Sequence, residues 1–263
     1  MNYDLDTLAY GNRLRGLPPW QNLSLGVTAL CLSLFAHWPV HLLLGCWMVL
    51  WTVVYAGIPW RFYGGLAIGV CSFLVAGLPA ILINFTPTHE TIPSLWSWSI
   101  GSSGQLYLSP AALEQAIGIL SRSLASTTAL FFIVLTVPFT ELAMVLTKIG
   151  LPSILTELLL LCYRFIFLLA DVAQQIAISQ QSRGGYRTRW LALRSVSLLI
   201  RQLIQRTAHR YQQLTLSIKA RGFNHEFRFW QSESYQYSPR YGGEAIGGCL
   251  ALIIGETLYR FYV

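Results

Sequence analysis

Two long uncharged tracts constrain this chain more than anything else in it. No Asp, Glu, Lys or Arg occurs in residues 16–60, and none in residues 62–89. Each tract exceeds the ~20 apolar residues that carry a helix across a bilayer. The whole chain is 54% hydrophobic and 11% charged, with a mean hydropathy of +0.50, whereas a soluble domain carries about a quarter charged residues. Water is therefore not the solvent for most of this surface, and the class expected is an all-α integral membrane protein. The first twenty residues are polar and contain Asp4, Asp6, Arg13 and Arg15, unlike the short apolar core of a signal peptide. That places the N-terminus in the cytoplasm.

About five transmembrane helices are expected. The first two, 23–36 and 42–58, form a hairpin broken at His37-Trp38-Pro39-Val40-His41, with Trp38, Trp47, Trp51 and Trp60 toward span ends as interfacial aromatics. The third, 62–85, carries Gly64, Gly65, Gly69 and Gly77, small residues that let helices approach closely. Residues 86–110 are rich in Ser and Pro and read as a non-cytoplasmic loop, with Ser109-Pro110 opening the fourth helix. That helix runs through 123–137 to Pro138, and Ser126, Thr127 and Thr128 inside it bond to backbone carbonyls or neighbouring helices. A last span covers 244–262, with Arg260 near its outer end.

Residues 151–182 look at first like another span. With the N-terminus inside, however, a crossing there would put the basic region 183–228, which holds ten of the eighteen Lys and Arg, outside, against the positive-inside bias. Glu157, Arg164 and Asp171 recur at steps of seven, along one helical stripe. The favoured reading is an amphipathic helix docked under the membrane; the alternative is a genuine span that buries Arg164 against an acid. Residues 190–219 form a second long amphipathic helix, with Leu193, Val196, Ile200, Leu203, Ile204 and Tyr211 on one face and Arg187, Arg194 and Arg201 on another. The domains are thus 1–150, an N-terminal tail and four spans; 151–243, a cytoplasmic domain of two long amphipathic helices; and 244–263, the last span.

Catalytic and metal chemistry find no footing. There is no GxxxxGK[ST] phosphate loop, so ATP hydrolysis would need another chain. His37 and His41 flank Pro39 with no acid or Cys beside them in sequence, which favours an interfacial turn over a metal site. His89-Glu90 and His209 form no hydrolase pattern. The five cysteines lack CxxC spacing and read as small buried hydrophobes. A membrane enzyme built on Glu141, Glu157 and Asp171 lacks a nucleophile or ligand pattern. A self-contained carrier is weakened by the scarcity of charge within the spans. A nucleic-acid or anionic-lipid module would spread basic residues over a whole face.

The informative motif occurs twice. Ser182-Arg183-Gly184-Gly185-Tyr186 and Ala220-Arg221-Gly222-Phe223-Asn224 each close a long amphipathic helix. A small residue, then Arg, then Gly lets a helix stop in a left-handed cap while the guanidinium projects past its end. Two such ends can each offer a forked donor to a carboxylate of another protein.

On these residues the chain resembles the T component of energy-coupling factor transporters, relatives of ATP-binding cassette importers for vitamins and transition metals. The family carries two Ala-Arg-Gly signatures, matched by Ser182-Arg183-Gly184, with Ser for Ala, and by Ala220-Arg221-Gly222. Asn12-Arg13-Leu14-Arg15, the segment from Leu135 through Pro138 to Leu142, and Leu161-Cys162-Tyr163-Arg164-Phe165 look most like the cobalt branch, the CbiQ type. The nickel branch is very similar. The resemblance implies a non-catalytic coupling subunit with no cofactor or metal of its own, in the inner membrane of a prokaryotic cell. Its implied partners are two ATP-binding cassette ATPases that bind ATP and Mg, a metal-binding M-type membrane subunit with a small accessory subunit, and membrane lipid, but no nucleic acid. Arg183 and Arg221 would dock the ATPases, with Glu157, Arg164 and Asp171 as supporting polar residues of the coupling domain.

Overall fold

The computed structural model describes residues 5–82, 84–86, 96–99, 105–108, 110–222, 235 and 238–262. The chain forms two compact units, residues 1–142 with 234–263, and residues 143–233.

In the first unit, α1 (Leu5–Gly11) and a 3-10 turn (Arg13–Gly16) lead into α2 (Pro19–Phe35), α3 (Trp38–Leu50) and a π-helical turn (Trp51–Tyr55) that continues α3. Next come α4 (Trp60–Leu82), the strands β1 (Asn84–Thr86), β2 (Trp96–Ser99) and β3 (Gln105–Leu108), and α5 (Pro110–Thr136). α6 (Phe139–Ile149) crosses the boundary between the units, and α9 (Pro239–Tyr262) returns to the first. Proline occupies the opening turn of α2, α3 and α5, where its missing N–H has no intrahelical partner to lose.

The core of this unit is α5, which packs against α1, α2, α3 and α4. Ala125, Ala129, Phe132 and Leu135 on α5 are fully enclosed, together with Leu44 and Met48 of α3 and Ala29 of α2. Close approach of α2 to α5 depends on Gly26, where a Cβ would collide with Ile133. Ser126 donates to the Arg122 carbonyl and pairs with Ser33 of α2 at 3.0 Å, while Thr127 and Thr128 donate to the carbonyls of Ser123 and Ala125. These are the backbone and interhelical bonds anticipated for them.

Several expectations need correction. Among the described residues nothing lies within 4 Å of a Cβ built at Gly64, Gly65, Gly69 or Gly77, so these glycines seat no described helix, and Tyr63 is the buried residue of α4. Trp51 is a core residue rather than an interfacial one: it stacks on Tyr55 at 4.6 Å and meets Phe132 edge-on. His37 does have an acidic partner, Glu256 of α9, with Nδ1 and Oε1 2.6 Å apart and the His37 N–H donating to Oε2 at 3.0 Å. His41 belongs to α3 itself, buried, with Nδ1 3.3 Å from Ser121 Oγ. The cysteines are free, but Cys31, Cys46, Cys71 and Cys162 are exposed rather than buried; they sit on outward faces of apolar helices. Within the expected loop, β3 pairs antiparallel with both β1 and β2, Leu106 opposite Phe85 and Tyr107 opposite Ser97. The N-terminal segment is built into the bundle: Leu14 is 1% exposed and the Asn12 amide donates to the carbonyls of Ala9 and Thr136.

Four described helical stretches are long and apolar enough to cross a membrane: Trp38–Tyr55, Trp60–Leu82, Ala112–Thr136 and Ser153–Ser182. The expected first and last spans are not among them, since α2 has 17 residues and α9 carries Arg240, Glu244, Glu256 and Arg260. Both are packed into the bundle through contacts with α3 and with each other.

The second unit is dominated by α7 (Ser153–Ser182, 30 residues) and α8 (Arg189–Ala220, 32 residues). The two helices pack against each other. Thr147 of α6 joins α7 through its hydroxyl, 2.8 Å from that of Thr156.

Candidate functional site: two capped helix ends

Each long helix stops in the same way. At the end of α7, Arg183 adopts φ −92, ψ 10, and Gly184 follows at φ 71. At the end of α8, Arg221 adopts φ −90, ψ 8, and Gly222 follows at φ 70. A side chain at either glycine would be strained in that left-handed conformation. After α7 the Gly185 N–H reaches the Gln180 carbonyl at 2.9 Å and the Gly184 N–H reaches that of Gln181 at 3.0 Å, the paired bonds of a Schellman cap. After α8 the Gly222 N–H makes the equivalent bond to the Lys219 carbonyl at 3.1 Å; Phe223 and Asn224 lie outside the described residues. Ser182, Arg183, Gly184, Arg221 and Gly222 are all exposed, as is Ala220.

The first end is reinforced by residues that the sequence did not single out. Gln180 accepts a bond from the Tyr186 hydroxyl at 2.9 Å and donates through Nε2 to the Ser195 carbonyl at 3.0 Å. The Ser195 hydroxyl donates to the Gly185 carbonyl at 2.9 Å. A Cβ on Gly185 would stand 2.6 Å from Ser195 Oγ and 2.9 Å from the Gln180 oxygen, so this position accepts only glycine. Ser195 is the buried residue of α8, and its bonds tie the start of α8 to the end of α7. The consecutive glycines and the tyrosine after Arg183 were the visible signal; Gln180 and Ser195 gave none.

The two arginines are held far apart. α8 begins beside the turn that carries Arg183, and its 32 residues put Arg221 about 48 Å along the helix at ~1.5 Å per residue. Glu157, Arg164 and Asp171 share α7, but successive members stand about 10 Å apart along the axis, so they form no cluster with one another. Glu157 is half-buried, while Arg164 and Asp171 are exposed. Apolar residues are uncovered on both helices, among them Ile166 of α7 and Leu193 and Ile204 of α8. Among the described residues no three His, Cys, Asp or Glu side chains gather as metal ligands.

Chemically, this arrangement offers two like cationic forks at separated helix ends, each on a similar backbone and exposed among the described residues. It suits recognition of carboxylates on other proteins rather than bond making.

Comparison with known proteins adds to the geometry. The model of a family described as CbiQ, cobalt transport protein, matches residues 11–229, which include both helix ends. A cobalt transport protein CbiQ of Salmonella typhimurium is 30% identical over 85% of this chain and 98% of its own length. Another of that name from Rhodobacter capsulatus is 29% identical over 85% of this chain and 86% of its own. A fused cobalt transport protein, CbiMQ, of Methanocorpusculum labreanum is 30% identical over 84% of this chain, which spans about a third of that longer relative, 36%.

Proposed function

Because this chain belongs to the CbiQ family of cobalt transport proteins, we propose that it is the multi-pass membrane subunit that couples ATP hydrolysis on partner chains to cobalt import. The observation that carries the reading is the duplicated helix end. Arg183 and Arg221, on backbones that agree within a few degrees, present the same donor at two places about 48 Å apart. Two ATPase subunits of the cassette type, each with a carboxylate-lined groove, would each take one end. ATP and Mg belong to those subunits, and this chain needs no cofactor for the task. The orientation that follows places the N-terminus and the coupling helices on the cytoplasmic side, where ATP is.

Closure of the ATPase pair on ATP moves the two docked ends, and because α8 holds them at a fixed separation the motion arrives as a tilt of that helix. Motion at the ends of α7 and α8 is then available to a separate membrane subunit that holds the metal. The fused relative, in which the matched segment is part of a longer chain named CbiMQ, supports an M-type subunit in that role; a small accessory membrane subunit is a further partner of the proposal. Substrate selection rests with that subunit, so nickel is the alternative cargo. The uncovered apolar faces of α7 and α8 are consistent with a chain that works inside an assembly.

The test is copurification of the ATPases with the tagged chain in mild detergent. Wild type should retain them; Arg183→Glu and Arg221→Glu should each lose one docking contact, and the double variant should release both ATPases and abolish cobalt uptake. Uptake at the wild-type rate by a well-folded double variant would overturn the coupling role.

A further inference from the structure

Between α7 and α8, away from both arginine ends, lies a cleft of about 620 Å³, within the ~300–1,000 Å³ range of small-molecule sites. Its two walls differ in kind. α7 contributes Phe165, Leu168, Leu169 and Val172 beside Asp171 and Gln175, on a helix apolar enough to cross a membrane. α8 contributes Arg206 and Arg210, one turn apart on one face. The whole of α8 carries Lys and Arg but no Asp or Glu. Both guanidiniums are exposed, and among the described residues neither is in an ion pair. Asp171 is the one acid in the lining, and His209 is engaged with Gln213 of its own helix at 3.2 Å.

We propose that this cleft binds an anionic phospholipid, its phosphate held by Arg206 and Arg210 and its acyl chain laid along Phe165, Leu168 and Leu169. The forked guanidinium matches phosphate geometry, and basic pockets beside apolar helices hold anionic head groups. A soluble anion would leave the α7 wall facing water. A zwitterionic lipid would bring its ammonium against two guanidiniums. The cleft uses neither Arg183 nor Arg221, so the inference stands apart from the coupling reading and is read out without ATPases.

Native mass spectrometry of the full-length chain in mild detergent, presented with phosphatidylglycerol, phosphatidylcholine or inorganic phosphate, tests it. Phosphatidylglycerol should stay bound where phosphatidylcholine is lost. Arg206→Gln with Arg210→Gln should weaken its retention roughly thirtyfold, at about fivefold per basic residue. Asp171→Asn, which removes the one opposing charge without altering the arginines, should strengthen retention. Equal retention of the two lipids, displacement of phosphatidylglycerol by inorganic phosphate at equal concentration, or indifference to both sets of substitutions would overturn the proposal.

Discussion

α5 of the first unit and α7 of the second are both apolar enough to cross a membrane and use that apolarity in opposite ways. Around α5 the apolar side chains close on one another: Ala125, Ala129, Phe132 and Leu135 have no exposed surface at all. Along α7 and α8, two helices of 30 and 32 residues, burial is confined to Thr156, Ile176 and Ser195. The hydrophobic effect rewards removal of apolar surface from water whoever supplies the cover. A helix pair that leaves such surface bare is therefore completed by bilayer or by another subunit. The bundle around α5 holds itself together; α7 and α8 hold their helix ends in fixed geometry and, like α4, leave their flanks to others.

That contrast can be broken most directly at its extremes. Phe132→Ala removes a fully enclosed ring and should cost about 3–5 kcal/mol of stability, seen as a lower melting temperature in detergent, whereas Ile204→Ala on the bare face of α8 should stay within about 0.5 kcal/mol. Equal losses at the two sites would erase the distinction. Arg183→Glu or Arg221→Glu should leave the melting temperature unchanged while weakening ATPase retention by about 2–5 kcal/mol, measured by pull-down across a concentration series. Gly185→Ala forces a methyl against Ser195 and the Gln180 carbonyl and should cost about 1–3 kcal/mol, with faster amide exchange confined to residues 180–195. The smallest effect is expected at Gly65→Ala, where the new methyl meets nothing: the isolated chain should melt within about 0.5 kcal/mol of wild type. A larger loss there would mean that α4 is covered after all.

What could be read from the sequence was what depends on near neighbours. The uncharged tracts delivered α3 and α4, and the Ser-Arg-Gly and Ala-Arg-Gly triplets delivered both left-handed caps, since a cap is decided by the few residues that form it. The hydroxyls of Ser126, Thr127 and Thr128 bonded as expected for the same reason. Contacts across long separations were invisible. His37 finds Glu256 across 219 positions, and Trp51 finds Phe132 and Tyr241, so an isolated histidine became a paired one and an interfacial tryptophan became core. The glycines of α4 misled because small residues permit an approach without requiring one. In the candidate site, Arg183 and Arg221 were legible, while Gln180 and Ser195 were not, because neither belongs to a motif and each matters only once α8 folds back on α7.

The bonds among Gln180, Gly185, Tyr186 and Ser195 have a mechanical meaning. A loose linker between two helices would absorb displacement at Arg183 as bending of the chain. This elbow has almost no slack: its glycine is sterically obligatory, and its polar groups are spent on one another. A load applied at Arg183 therefore arrives as torque on α8, whose length gives it a lever arm of about 48 Å. A rotation of only a few degrees at the elbow would sweep the far tip, where Arg221 stands, through several ångströms.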